Sequence, residues 1–201
     1  MGNEAKCKVR FGKQESEGKA LLETSEILFR GDFRLKIPFS SIQSAKSVDG
    51  ELRLQTPEGI VVFELGGAPK WCEKILHPKS RVEKLGVKPG AKVSLLGSFD
   101  EGFLRELRER NSLVTNGQVA KDVESIFFAA DLKKHLAQVS RLAKSLKGAA
   151  ALWIVYPKGR KDITENDVLA AGRKAGLKDV KVVGFSATQT ALKFVIPVAR
   201  R

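Results

Sequence analysis

The sequence predicts an α+β chain of two domains, an antiparallel β domain followed by an α/β domain built on an open sheet. Three observations lead to this prediction. Short runs of alternating apolar residues fill the first 80 residues, strand and helix patterns alternate after residue 81, and the charge balance changes between the two parts. Residues 1–80 hold 13 basic and 11 acidic side chains, whereas residues 81–201 hold 23 and 12. We place the domains at residues 1–78 and 81–201.

The first domain is predicted to contain seven antiparallel strands closed by one helix. The Asp49-Gly50 pair, followed by alternating apolar and polar residues, is typical of a hairpin with one buried face. Pro69 suits the first turn of a helix, and an apolar stripe on that helix is formed by Trp71, Cys72, Ile75 and Leu76. The predicted strands are Lys6–Phe11, Lys19–Glu23, Glu26–Arg30, Phe33–Phe39, Ile42–Val48, Glu51–Thr56 and Ile60–Leu65, with residues 12–19 as a loop.

The second domain is predicted to alternate strand and helix, which indicates parallel strands covered by helices on both faces. Asp100 and Thr164 are suited to cap helices, and Gly176 follows the second of these helices. Leucines and valines at helical spacing predict one continuous helix over residues 131–146. The predicted strands are Lys92–Ser98, Ser112–Thr115, Val123–Ala129, Ala150–Tyr156, Val180–Ala187 and Ala191–Val198, the last two forming an antiparallel hairpin.

The composition excludes several classes of protein. Of the 201 residues, 42% are hydrophobic, a globular balance, and no stretch approaches the roughly 18 uncharged apolar residues that a membrane helix requires. The first residues lack the apolar segment of a signal peptide. Two cysteines, Cys7 and Cys72, are too few for a disulfide framework. We therefore expect a cytoplasmic protein with reduced thiols and no membrane span.

The second half resembles a family of small bacterial proteins, domain of unknown function three thousand and fifty-two, in three blocks: KLGVKPGAKVSLLGSFDEGF, AALWIVYPKG and DITENDVLAAGRKAGLKDVKVVGFSATQTALKFV. The resemblance covers residues 81–198. It implies a trimmed Rossmann-type sheet related to S-adenosylmethionine-dependent methyltransferases, but no activity is established for that family. The first 80 residues look like a bacterial pleckstrin-homology-like domain.

The sequence departs from the methyltransferase pattern at the two positions that hold the cofactor. The first turn keeps only Gly97 and Gly102 of a glycine-rich loop, and the second strand ends in Thr115-Asn116, without a carboxylate for the ribose. Close approach of the backbone requires glycine, and ribose hydroxyls require an acceptor. We therefore expect no bound cofactor, and S-adenosylmethionine is kept as the alternative.

Ligands of open α/β sheets bind beyond the carboxyl ends of the strands, and three loops of the second domain are predicted to lie there. The simpler interpretation is that Asp100 and Asp131 only cap helices and that the lysines are solvated, because two aspartates repel an anion. The candidate ligand-binding residues at these loops are Gly97, Ser98, Asp100, Gly102, Asp131, Tyr156, Lys158 and Lys161.

The sequence contains no recognisable set of catalytic or metal-binding residues. His77 and His135 fall in different predicted domains, and neither has the histidine or cysteine partners of a zinc site. There is no Gly-x-Ser-x-Gly nucleophile motif and no phosphate-binding loop of the Gly-Lys-Ser/Thr type. These observations favour a protein that is not an enzyme and holds no metal.

The formal charge of +13 favours attraction to phosphates, and the basic residues Lys133, Lys134, Arg141 and Lys144 form a candidate surface for an anion or nucleic acid. These basic runs lack interleaved aromatic side chains for base stacking, so a solvated helix face is the simpler interpretation.

The sequence therefore favours a non-catalytic binding or regulatory module of a bacterial cytoplasm whose partner is unknown, with a protein as one candidate and a nucleic acid as another. The first alternative is a protein that binds S-adenosylmethionine or a nucleotide, related to a degenerate methyltransferase. The second alternative is a nonspecific nucleic-acid binder that uses the basic second half.

Overall fold

The computed structural model describes residues 3–200, and the chain divides between Lys79 and Ser80 into two compact units. The first unit contains the seven antiparallel strands and one closing α-helix that the sequence predicts. Its elements are β1 (Asn3–Phe11), β2 (Gln14–Leu22), β3 (Glu26–Arg30), β4 (Arg34–Pro38), β5 (Ser44–Val48), β6 (Glu51–Thr56), β7 (Gly59–Glu64) and α1 (Ala68–Leu76), with a 3-10 turn at Phe39–Ser41. The strand order is β4-β3-β2-β1-β7-β6-β5.

One face of this sheet buries the core of the first unit. Val9 and Phe63 are fully buried on adjacent strands, and Trp71, Cys72 and Ile75 of α1 join the same cluster. Burying a side chain of this kind contributes about 1.5–3 kcal/mol relative to leaving it in water. The apolar stripe predicted for α1 is confirmed at these three helix residues and is wrong at Leu76, which is exposed. Burial raises the pKa of the Cys72 thiol.

The predicted loop over residues 12–19 is wrong, because only Gly12 and Lys13 form the turn between β1 and β2. Gly12 has a φ of +60°, which a tight hairpin turn requires and which glycine adopts at little cost. The first residues of β2 are polar, so the sequence there lacks the alternation of apolar and polar residues that predicts a strand. Its buried contact is polar, because the Ser16 hydroxyl accepts a hydrogen bond of 2.9 Å from the backbone N–H of Asp32.

The second unit is an open α/β sheet of six strands, as predicted. Its elements are α2 (Arg81–Lys84), β8 (Lys92–Leu96), α3 (Glu101–Glu109), β9 (Leu113–Asn116), β10 (Ser125–Ala129), a 3-10 helix (Lys133–Gln138), α4 (Val139–Ala143), β11 (Ala151–Pro157), α5 (Glu165–Lys174), β12 (Lys178–Gly184), β13 (Gln189–Val195) and a final 3-10 turn at Val198–Arg200. The strand order is β12-β13-β11-β10-β8-β9.

The strand order of the second sheet reverses between β8 and β10. From β8 the chain moves outward to β9, and it then returns past β8 to β10 and continues in the other direction to β11. These four strands pair in parallel, whereas β13 lies antiparallel between β11 and β12. The predicted closing hairpin is therefore confirmed. The chain leaves the adjacent strands β8 and β10 in opposite directions, which makes this position a topological switch point.

Helices cover both faces of this sheet. Val82 of α2 and Phe103 of α3 pack on one face, and Leu142 of α4 and Val168 of α5 pack on the other. The connection from β9 to β10, residues 117–124, contains no helix. It is fixed to the sheet where the backbone N–H of Ala120 donates a 2.9 Å hydrogen bond to the hydroxyl of the fully buried Ser94.

The prediction of one continuous helix over residues 131–146 is wrong. The segment forms the 3-10 helix Lys133–Gln138 followed by the short helix α4. Leu132 precedes the 3-10 helix and offers no side-chain cap to its first N–H groups. Most of the apolar stripe predicted for this segment still faces the core, because Leu136, Val139, Leu142 and Leu146 are buried, whereas Leu132 is exposed. Among residues 3–200 no helix has the length and apolarity needed to cross a membrane.

The contact between α5 and β13 depends on Gly172, which predicts an unusual cost for adding one methyl group. A Cβ at Gly172 would lie 2.0 Å from Cε1 of the fully buried Phe194. We expect Gly172→Ala to destabilise the second unit by about 1–2 kcal/mol, because overpacking outweighs the helix propensity that alanine gains over glycine. Urea unfolding followed by circular dichroism measures this free energy.

A double-mutant cycle with Phe194→Leu provides the control. The smaller side chain makes room for the added methyl group, so the double variant should lose less free energy of unfolding than the two single changes together. Strict additivity of the two losses would show that the contact does not cause the effect.

Candidate ligand site at the carboxyl edge of the second sheet

The carboxyl ends of β8, β10 and β11 meet at one edge of the second sheet, which we call the carboxyl edge. In the strand register Leu96 lies opposite Phe128, and Ala129 lies opposite Val155. The backbone N–H of Ala130 continues this pairing with a 2.8 Å hydrogen bond to the carbonyl of Val155. The structure therefore brings together the loops that begin after these strands.

Gly97 is the first residue after β8, and its backbone approaches β10 more closely than a side chain permits. Its φ is +98°, and a Cβ there would lie 2.9 Å from Cβ and 3.2 Å from the carbonyl oxygen of Ala129. Gly97 and Ser98 are exposed. Asn116 lies beside this turn, because it pairs with Leu95 at the end of β9, and it is also exposed. The turn thus leaves backbone and short polar groups open at the switch point.

The carboxylate of Asp100 is held by protein groups. It accepts a 2.9 Å hydrogen bond from the backbone N–H of Phe103 as the N-cap of α3. It also accepts two hydrogen bonds from the guanidinium of Arg81, at 2.8 Å and 3.0 Å, which hold the pKa of Asp100 below its usual range. A Cβ at Gly102 would lie 2.9 Å from the same carboxylate. These contacts agree with the capping interpretation of Asp100.

Arg81 is a central residue of this region that the sequence analysis missed. Its guanidinium lies 4.9 Å from the ring centroid of Phe185 and 5.1 Å from that of Phe103, and it bonds to Glu106 at 2.9 Å. Phe99 packs on both rings, at 5.6 Å and 6.0 Å between centroids. No local pattern marks Arg81, since its partners lie 19, 25 and 104 residues away along the chain.

Tyr156 and Lys158 follow β11, but both turn toward protein partners. The hydroxyl of Tyr156 donates a 3.1 Å hydrogen bond to the carboxylate of Glu165, and burial is the main cause that raises the pKa of Tyr156. The ammonium of Lys158 donates a 2.7 Å hydrogen bond to the carbonyl of Ser186.

The remaining two candidates, Asp131 and Lys161, are exposed. Asp131 interacts electrostatically with Arg160, which also pairs with Asp162. Six of the eight candidate residues are exposed, and two of these, Asp100 and Lys158, are hydrogen-bonded to protein groups. The other four exposed candidates are Gly97, Ser98, Asp131 and Lys161.

The predicted basic surface belongs to the 3-10 helix, α4 and the residue after it. Lys133 forms a 2.6 Å ion pair with Asp167, and Arg141 donates a 3.3 Å hydrogen bond to Gln138. The Lys133 ammonium and the Thr164 cap lower the pKa of Asp167 to about 2. Lys134 and Lys144 are exposed. One of the four charges is therefore neutralised by an acidic neighbour, and the nucleic-acid surface stays a prediction.

A cleft of about 310 Å³ lies away from the carboxyl edge, beside the starts of β10 and β11. The cleft is lined by residues 119–123 together with Ser145 and Lys147.

Within residues 3–200 no three His, Cys, Asp or Glu side chains are grouped as a metal site requires.

The chain was compared with known proteins. No family model matches it, so the resemblance to domain of unknown function three thousand and fifty-two is not supported, and no curated protein matches it. Among solved structures, the N-terminal PH domain of human ARAP2 is 12% identical, with 38% of this chain and 77% of that domain covered and a TM-score of 0.33.

Two methyltransferase structures are also similar. A TehB-like SAM-dependent methyltransferase from Corynebacterium glutamicum is 12% identical, with 65% of this chain and 96% of that chain covered and a TM-score of 0.38. The O-methyltransferase NcsB1 of neocarzinostatin biosynthesis, in complex with S-adenosyl-L-homocysteine, is 10% identical, with 54% and 50% covered and a TM-score of 0.38. Because these TM-scores lie below 0.5, the fold and the site rest on the strand order and contacts of the chain itself.

The contacts of Arg81 predict a loss of stability on its replacement. Arg81→Met leaves the carboxylates of Asp100 and Glu106 without their shared partner and removes the cation from between two rings. We expect the free energy of unfolding of the second unit to fall by about 1–3 kcal/mol, because both carboxylates are partly solvated. Arg105→Met, at an exposed position on α3 next to Glu106, is the matched control and should stay within about 0.5 kcal/mol.

The lowered pKa of Asp100 predicts how this loss depends on pH. A carboxyl whose pKa is depressed on folding contributes stability above its unfolded pKa of about 3.9, and this contribution disappears as the pH falls through the folded value. The difference in unfolding free energy between wild type and Arg81→Met should therefore stay constant from neutral pH down to about pH 5 and shrink as the pH falls through about 4 and below. Urea titrations at a series of pH values measure it, and parallel pH profiles would contradict the role of the Arg81–Asp100 pair.

Proposed function

We propose that the second unit binds S-adenosylmethionine or another adenosine-containing small molecule at the carboxyl edge and does not catalyse a reaction with it. The observation that carries the proposal is the Gly97 turn, whose backbone lies against Ala129 where the strand order reverses. Open α/β sheets bind their ligands at such a switch point, since the loops on its two sides diverge and leave a crevice.

The exposed groups beside the turn suit the ribose and the polar part of such a ligand. Ser98 offers a hydroxyl, and the Asn116 side chain offers both an N–H donor and a carbonyl acceptor. An amide at the end of the second parallel strand can exchange hydrogen bonds with ribose hydroxyls, although an ionised carboxylate is the stronger acceptor. This difference supports weak rather than tight binding.

The contacts of the titratable side chains support binding without chemistry. Asp100 is held by Arg81, Tyr156 by Glu165, and Lys158 by the carbonyl of Ser186. A general base or acid must reach the reacting atom with a free lone pair or proton, and the hydrogen bond that each of these groups makes orients it toward a protein partner. The unit would then act by reporting or storing its ligand, as a regulatory module that contacts a protein partner.

A bacterial cytoplasm is the compartment that this proposal assumes. Burial raises the pKa of the Cys7 thiol to about 11, and Cys72 is also buried. Buried thiols with a raised pKa are poor nucleophiles, and free thiols need no oxidising environment because they form no disulfide. The thiols therefore support a structural role in a reducing compartment.

The sharpest test supplies the carboxylate that the site lacks. Asn116→Asp should bind S-adenosylmethionine and S-adenosylhomocysteine severalfold more tightly than wild type, because an ionised acceptor bonds ribose hydroxyls more strongly than an amide. Isothermal titration calorimetry with both compounds, and with ATP for comparison, measures the dissociation constants.

Asn111→Asp is the matched control, because it makes the same change in charge between the end of α3 and the start of β9, at the opposite end of β9 from Asn116. Asn111 has a φ of +53°, a conformation that aspartate also tolerates. Equal effects of the two variants would indicate a general electrostatic cause. The absence of heat in wild type and Asn116→Asp alike would refute the proposed site.

A further inference from the structure

Two lysines face each other on the sheet of the second unit, away from the carboxyl edge. Lys181 of β12 and Lys193 of β13 are directly opposite in the strand register and therefore project from the same face. Residues directly opposite on an antiparallel pair have Cβ atoms about 4.5–5.5 Å apart, and like charges at this spacing repel. We call these two residues the lysine pair.

The two members of the lysine pair have different surroundings. The side chain of Lys181 is exposed and its Nζ donates a 2.7 Å hydrogen bond to the backbone carbonyl of Lys84. The Lys193 side chain is partly buried, and its Nζ lies 5.6 Å from the ring centroid of Trp153, which is fully buried. Lys181 is therefore held at α2, opposite a second amine that packs over an indole ring.

No acidic side chain compensates the lysine pair in the described part of the chain. Neither Lys181 nor Lys193 forms an ion pair within residues 3–200, and the same is true of Lys84 on the adjacent helix α2. The negative charge of Glu106 on α3 interacts with Lys84, but this carboxylate is hydrogen-bonded to Arg81. Burial, followed by the charge of Lys181, lowers the pKa of Lys193. These are the two conditions under which lysine amines act as nucleophiles, namely desolvation and a neighbouring cation.

We propose that Lys193 is a nucleophilic amine that forms an imine with small aldehydes carrying a phosphate or carboxylate group, with Lys181 as the cation that attracts the anionic group. The neutral nitrogen of Lys193 adds to the carbonyl carbon to give a carbinolamine. Loss of one water molecule then leaves a carbon–nitrogen double bond, and no oxidant or reductant takes part. The net positive charge around the pair selects an anionic aldehyde over a neutral one.

Reductive trapping tests this proposal on the full chain. The protein is incubated briefly with pyridoxal 5′-phosphate at neutral pH, borohydride reduces the imine to a stable secondary amine, and peptide mass spectrometry gives the extent of labelling at each lysine. We expect Lys193 to be labelled severalfold faster than Lys178, an exposed lysine on the adjacent strand. We also expect pyridoxal, which lacks the phosphate, to label Lys193 more slowly than pyridoxal 5′-phosphate.

Two variants separate the chemistry from simple exposure. Lys193→Arg keeps the positive charge and should remove the preferred label without raising that of Lys178. Lys181→Met removes the neighbouring amine and should slow the labelling of Lys193 by pyridoxal 5′-phosphate more than its labelling by pyridoxal. Equal labelling of Lys193 and Lys178, or a Lys193 rate that Lys181→Met leaves unchanged, would overturn the proposal.

Discussion

The guanidinium of Arg81 is the contact on which much of the second unit depends. A single side chain joins α2, the N-cap of α3, the carboxylate of Glu106 on α3 and the ring and carbonyl of Phe185, which follows β12. A planar group with five donors can bond two carboxylates and stack on two rings at once, which no other side chain can do. The residue therefore fixes the beginning and the end of the unit to one helix that lies between them in sequence.

This arrangement explains the character of the carboxyl edge. The aromatic side chains of Phe99, Phe103 and Phe185 pack together next to the switch point, and the charged groups nearby are bonded to one another. The edge thus keeps the glycine turn that an open α/β sheet uses to approach a ligand, while its ionisable side chains stabilise the fold. This arrangement of an open glycine turn beside mutually bonded charged groups supports the proposed binding of a ligand without a reaction.

The sequence predicts most of the fold, because its signals are local. Asp49-Gly50 marks a hairpin, Thr164 and Gly176 mark the two ends of α5, and the apolar run at β11 marks a strand buried on both faces. The errors occurred where local signals are weak. The start of β2 is polar because it pairs mainly through backbone groups, and the 3-10 helix after β10 keeps the apolar spacing of an α-helix.

The candidate site was only partly predictable. The three loops that begin after β8, β10 and β11 do meet, since parallel strands end at the same edge. What sequence patterns could not supply was the partner of each polar group. The sequence suited Asp100 to a helix cap and Lys158 to a solvated loop, but it gave no sign of Arg81 or Ser186 as their partners, because these contacts join residues far apart in the chain. Such contacts are set by the packing of the completed unit.

The helix-free connection between β9 and β10 has a consequence for how firmly the edge of the sheet is held. β9 contains four residues, pairs with β8 alone and is followed by a segment that the Ala120–Ser94 hydrogen bond ties to the sheet. An edge strand with so few contacts opens at a lower free energy than the central strands, and its amide hydrogens exchange first. A molecule that contacted Asn116 in the paired strand would favour the closed form, and its binding would then slow the exchange of the β9 amide hydrogens with the solvent.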